Sequence, residues 1–76
     1  MSGTAEAVVR MANDIARNFA AHGEEQAVEE TANHIRLFWD PRMKTMALAR
    51  LDEPDCGLSS IARAALSRIS ATTSNG

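Results

Sequence analysis

The sequence predicts an all-α protein, a small bundle of about four short helices. Apolar residues recur at intervals of three and four along most of the 76-residue chain, which is the period of helices with one buried face. Gly23 and the Asp40-Pro41 pair interrupt this period where helices are expected to end or begin. No alternating stretch is long enough to indicate a strand.

The first helix is predicted over about residues 5–22. Thr4 can cap its start, and Gly23 is a natural stop because glycine readily accepts a positive φ. Five apolar residues would share its buried face: Val8, Met11, Ala12, Ile15 and Phe19.

The second helix is predicted over about residues 24–38. Glu24 and Glu25 lie at its beginning, where negative charge favours the positive end of the helix dipole. Its buried face would comprise Ala27, Val28, Thr31, Ala32, Ile35 and Phe38.

The Asp40-Pro41 pair ends the second helix and starts the third. The residue before a proline disfavours the helical conformation, aspartate is a strong cap, and proline is favoured at the first helical position. Residues 52–57 are predicted to form a loop. Ser59 or Ser60 would then cap a fourth helix with the apolar series Ile61, Ala62, Ala65, Leu66 and Ile69. We therefore expect one helical domain over residues 1–69 and a flexible polar tail over residues 70–76.

Composition points to a cytoplasmic protein with a partner. The net charge is −2, divided as −4 in residues 1–35 and +2 in residues 36–76. Cys56 is the only cysteine, which excludes an internal disulfide and suits a reducing compartment. No window approaches the roughly 18 apolar residues of a membrane span, and the first residues do not read as a secretory signal. A domain this small buries little surface, so a partner is a common means of stabilisation.

No residue pattern supports catalysis or a bound metal or cofactor. Glu30 and His34 are four residues apart on one predicted helix face, but a closed zinc site needs four ligands and the usual ligand pairs are absent. Cys56 is surrounded by acidic residues, which disfavour the reactive thiolate. There is also no phosphate-binding glycine loop and no Gly-x-Ser-x-Gly elbow. We expect a non-catalytic chain.

The segment Phe38-Trp39-Asp40-Pro41-Arg42-Met43 is the best candidate for contact with another protein. Large apolar side chains and an arginine meet there at a helix junction, and tryptophan and arginine are enriched in interface hot spots. Phe38 continues the buried series and is expected mainly in the core. Trp39 and Arg42 are expected chiefly at the interface, with Lys44 and Met46 beside them.

Two other interpretations of the same region stay open. Arg36, Arg42, Lys44 and Arg50 surround Trp39 in the sequence, and a basic cluster with an aromatic residue is a possible nucleic-acid footprint. The chain would then be a free-standing helical regulator. Alternatively, a homodimer would bury the apolar surface of the chain against a second copy.

The sequence also resembles a known family, the delta subunits of NAD-dependent molybdenum formate dehydrogenases. Arg10-Met11-Ala12-Asn13 is similar to the start of that family, and Gly57-Leu58 with Ala65-Leu66 is similar to its last helix. His34-Ile35 followed by the segment Phe38 to Met43 resembles its central motif and is the most specific of these strings. The resemblance covers about residues 8–69.

The resemblance implies an accessory subunit that helps to assemble or stabilise the enzyme complex. Molybdopterin cofactor, iron–sulfur clusters and FMN would then lie in partner subunits, and the partner would be the large molybdenum-containing catalytic subunit. The residues expected at the partner surface are Trp39, Arg42, Lys44, Met46, Phe38, Met43, Arg10, Asn13 and His34.

Overall fold

A computed structural model describes residues 4–53 and 57–73 of the chain and confirms the all-α prediction. Within these ranges there are four α-helices, two short 3-10 turns and no strand. The helices are α1 (Thr4–Phe19), α2 (Glu24–Phe38), α3 (Pro41–Ala49) and α4 (Ser60–Thr73), and the 3-10 turns are Ala20–His22 and Arg50–Asp52. None of the described helices combines the length and apolar character needed to cross a membrane.

Gly23 separates α1 from α2 as predicted. The 3-10 turn tightens the end of α1, and the Gly23 amide donates to the Ala20 carbonyl at 3.2 Å. Gly23 has φ 99°, a conformation that side-chain-bearing residues rarely adopt. The bounds predicted for the first two helices are therefore confirmed. The predicted Thr4 cap depends on a side chain that the structure does not describe.

Ser59 is the cap of α4. Its hydroxyl accepts from the Ala62 amide at 3.2 Å, and its carbonyl accepts from the Arg63 amide at 2.8 Å. The helix then continues to Thr73, beyond the boundary predicted at residue 69, because neither glycine nor proline interrupts residues 70–73. Of the predicted tail, only residues 74–76 lie outside the described part of the chain.

All four helices contribute to one hydrophobic core. The core is made of many small residues around a few large ones, with Ile35 and Leu66 fully buried. α2 packs against both α1 and α4 and is the central element of the bundle. The buried core residues are Val8, Ala12, Ala16, Val28, Ala32, Ile35, Trp39, Ala47, Ala62, Ala65, Leu66 and Ile69.

Candidate protein-interaction surface

Two residues in extended conformation form the junction between α2 and α3. Trp39 has φ −90° and ψ 140°, and Asp40 has φ −78° and ψ 167°. The Trp39 amide completes α2 by donating to the Ile35 carbonyl at 3.0 Å. The Asp40 carboxylate accepts from the Met43 amide at 2.8 Å, and Pro41 occupies the first helical position. The structural roles predicted for Asp40 and Pro41 are therefore confirmed.

Phe38 and Trp39 have the opposite environments from those expected. Trp39 is 6 % exposed and belongs to the core, whereas Phe38 is 71 % exposed. The expectation that Phe38 is a core residue is wrong, and so is the expectation that Trp39 is available at the surface. The spacing contained the correct signal: Trp39 follows Ile35 by four residues and Ala32 by seven, so it continues the middle row of the buried face.

His34, Leu37 and Phe38 form an exposed cluster at the end of α2, called here the α2 patch. Leu37 is 76 % exposed and Phe38 is 71 % exposed, the largest exposures among the big apolar side chains of the described residues. The His34 ring is half-buried and lies against the Phe38 ring, with centroids 4.7 Å apart and planes inclined by 42°. His34 thus supports one side of the Phe38 ring.

Basic side chains follow the α2 patch in the chain, in the first turn of α3. Arg42 is exposed, and within the described residues no carboxylate lies in ion-pair range of its guanidinium. The Lys44 ammonium donates to the Arg36 carbonyl at 3.2 Å, so a positive charge lies at the negative end of the α2 dipole. The nearest carboxylate in the sequence is Asp40, one oxygen of which accepts from the Met43 amide. The end of α2 is therefore apolar, and two cations and one carboxylate follow it in the chain.

The four cations considered for nucleic-acid binding do not form one free basic face. The Arg50 guanidinium contacts the Glu53 carboxylate at 3.0 Å and is largely covered. Lys44 is half-buried and committed to the α2 carbonyl, as described above. Trp39, the aromatic residue at the centre of that interpretation, is buried. Two of the four cations and the aromatic residue are therefore engaged within the chain.

The remaining residues expected at a partner surface have different environments. Met43 and Met46 are half-buried and pack against the core, so their side chains contribute mainly to the bundle. Arg10 is exposed on α1. Asn13 is half-buried and is engaged within the chain.

The Asn13 side chain connects α1 to the segment that precedes α4. Its amide nitrogen donates to the Gly57 carbonyl at 2.8 Å, and its oxygen accepts from the Ser59 amide at 2.8 Å. Gly57 has φ 82° and approaches α1 closely, since a Cβ atom there would lie 3.5 Å from the Val9 Cγ1 atom. Sequence reasoning missed this connection because it joins residues more than forty positions apart.

The acidic and histidine side chains give no candidate metal centre in the described part of the chain. Glu30 contacts His22 across the connection between α1 and α2, with His22 Nδ1 and Glu30 Oε1 3.5 Å apart. The Glu30 carboxylate also accepts from the side-chain amide of Gln26 at 2.7 Å. The His34 ring contacts Phe38 instead of a carboxylate. Cys56 lies outside the described residues.

A shallow groove of about 340 Å³ lies between α1 and the start of α4. Ala16 and Ile61 supply apolar surface to it, and the exposed Arg17 lies at its side. Asn13 also lines the groove, but both polar atoms of its side chain are bonded to the backbone.

Fold and surface together define a small all-α domain that exposes apolar side chains at the end of one helix. The model of the family described as NADH-dependent formate dehydrogenase delta subunit FdsD matches residues 7–66. The match covers most of the 76-residue chain, so the protein belongs to this family. No curated protein and no solved structure matches the chain significantly.

Proposed function

We propose that this chain is a non-catalytic accessory subunit of a cytoplasmic, NAD-dependent molybdenum formate dehydrogenase. Its role would be to bind the enzyme complex and to help assemble or stabilise it. Membership of the delta-subunit family supports this proposal. The single cysteine, as expected in a reducing compartment, supports the location.

The observation that carries the binding role is the exposure of Leu37 and Phe38. Two large apolar side chains next to each other on the surface of a very small domain are a common mark of a protein contact site. Because a subunit must contact its complex, the family and the surface support the same role.

The partner we propose is the large molybdenum-containing catalytic subunit. Molybdopterin cofactor, iron–sulfur clusters and FMN would be held by that subunit and its other partners. Membership of the delta-subunit family supports this choice of partner.

Expression of the formate dehydrogenase subunits with and without this chain tests the proposal. We expect the enzyme made without it to contain less molybdenum, to lose activity on heating at a lower temperature, or both. Metal analysis, formate-dependent NAD reduction and thermal inactivation are the measurements. A complex that is equally loaded, equally active and equally stable without the chain would contradict the proposed role.

A further inference from the structure

We infer that the α2 patch is the docking site of this chain, and that it enters an apolar pocket bordered by carboxylates on another subunit of the enzyme. This inference rests on the proposed function and deepens it by naming the surface and the chemistry of its counterpart. Four observations support it: exposure, rigidity, charge and the small area of the patch.

Exposure of the α2 patch is not required by the fold. Phe38 follows Ala27, Thr31 and His34 along one edge of α2, and the burial of this row falls from complete at Ala27 and Thr31 to partial at His34. At Phe38 no other described element covers the ring, which is 71 % exposed. Leu37 lies on the side of α2 that faces away from the core, and its side chain is 76 % exposed. Neither side chain is needed to complete the core.

The Phe38 ring and the backbone that follows it are held in place by contacts within the chain. Trp39, the next residue, is anchored in the core, and the capped start of α3 fixes Asp40 one residue later. The His34 ring supports the Phe38 ring at 4.7 Å. A side chain fixed in this way loses little conformational freedom on binding, which increases the affinity that its burial can provide.

Charge defines the border of the counterpart. Arg42 is exposed four residues after Phe38 in the chain, and the Lys44 ammonium lies at the end of α2. Asp40 is the one carboxylate among these residues and accepts from the Met43 amide, so the cations outnumber the carboxylate by two to one in this part of the sequence. The complementary surface is therefore a pocket that accepts Phe38 and Leu37 and presents acidic side chains to Arg42.

The area of the α2 patch favours a larger partner over a second copy of this chain. One aromatic side chain offers roughly 150–250 Å², so Phe38 and Leu37 together offer a few hundred. A stable interface between flat surfaces needs about 800 Å² from each partner. Two copies that meet through this patch would bury much less area than that. A concave pocket on a larger partner buries more, because its walls also contact the sides of the two side chains.

The experiment measures the affinity of the purified full-length chain for the purified catalytic subunits prepared without it, by bio-layer interferometry. Leu37→Ser and Phe38→Ser remove the apolar surface. Met11→Ser is the matched control, because the prediction that Met11 lies on the buried face of the first helix is wrong and its side chain is 42 % exposed on α1. We expect each patch variant to raise Kd about tenfold or more, and the control to change it less than about twofold. Circular dichroism should give equal helicity for all three variants.

A second arm tests the charged border. Arg42→Gln should weaken binding and flatten the dependence of Kd on salt, since rim charges act chiefly through screened attraction. Arg17→Gln, which removes another exposed arginine, is the control.

Each outcome has a distinct meaning. Unchanged Kd for the Leu37→Ser/Phe38→Ser double variant would overturn this inference and leave the proposed function standing. No binding by the unchanged chain would overturn both. A dimer of the isolated chain in sedimentation velocity, dissociated by Phe38→Ser, would assign the α2 patch to a second copy and overturn the inference.

Discussion

Trp39 supplies the largest side chain of the core, whereas the side chain of Phe38, the residue before it, is mostly exposed. Truncation of a buried aromatic residue costs about 3–5 kcal/mol. A chain of this length has a total stability of roughly 4–11 kcal/mol. We therefore expect Trp39→Ala to remove a large share of the free energy of unfolding and to lower the urea midpoint strongly.

Phe38→Ala should change the free energy of unfolding by less than about 0.5 kcal/mol. Urea titration followed by circular dichroism compares the two variants. A loss of stability for Phe38→Ala as large as that for Trp39→Ala would contradict the assignment of their environments.

Thr31 is the one buried polar residue of the described core, and its hydroxyl has no hydrogen-bond partner there. A buried polar group without a partner is destabilising. Thr31→Val keeps the shape and removes the hydroxyl, so it should raise the free energy of unfolding by about 1 kcal/mol.

Thr45→Val is the control for this prediction, because the Thr45 hydroxyl is exposed and donates to the Pro41 carbonyl at 2.9 Å. It should be neutral or slightly destabilising. A lower thermal midpoint for Thr31→Val would contradict the prediction and would mean that the Thr31 hydroxyl makes a hydrogen bond in solution.

At the scale of elements, the start of α3 depends on one side chain. Asp40→Ala removes the acceptor of the Met43 amide and should cost about 1 kcal/mol, a usual value for the loss of a helix cap. Asp40→Ser retains a capping oxygen and should recover most of that loss. Equal stability of Asp40→Ala and the unchanged chain in thermal unfolding would exclude a capping role.

The connection between α1 and α4 depends on Asn13. Asn13→Ala breaks two hydrogen bonds to the segment before α4 and should cost about 1–3 kcal/mol. Asn33→Ala is a suitable control, because Asn33 is exposed and its side chain accepts from Arg36 within the same helix. Similar unfolding midpoints for the two variants would mean that the Asn13 bonds do not form.

Local features of the fold were accessible from sequence because they depend on neighbouring residues. The bounds of α2, the stop at Gly23 and the cap at Asp40 follow from residues within one turn of each feature. The extension of α4 to Thr73 was missed because polar residues suggested a tail, although no helix breaker was present. Polarity alone did not determine the end of that helix.

The candidate site was less predictable because it depends on which elements cover which side chains. The spacing of Phe38 from the buried residues of α2 predicts burial, but its side chain is 71 % exposed. The sequence does not show which other elements cover the end of α2. Asn13 has no local capping position, and its partners Gly57 and Ser59 lie on a distant segment. Family resemblance marked both residues without distinguishing a contact role from an internal one.

At the scale of the whole molecule, one core joins the four helices, so unfolding should occur in a single transition. Trp39 is the only tryptophan and lies in that core. Its fluorescence should therefore report the same urea midpoint as the helical signal at 222 nm. Two separated midpoints would show that part of the bundle unfolds independently.

The adjacency of Phe38 and Trp39 has a dynamic consequence. One peptide bond separates the exposed Phe38 side chain from the buried Trp39 side chain. A partner bound to Phe38 should therefore also restrain local opening of the last turn of α2. The amide of Trp39, bonded to the Ile35 carbonyl, closes that turn. Its exchange with solvent deuterium should slow on complex formation, which makes this backbone proton a direct reporter of the bound state.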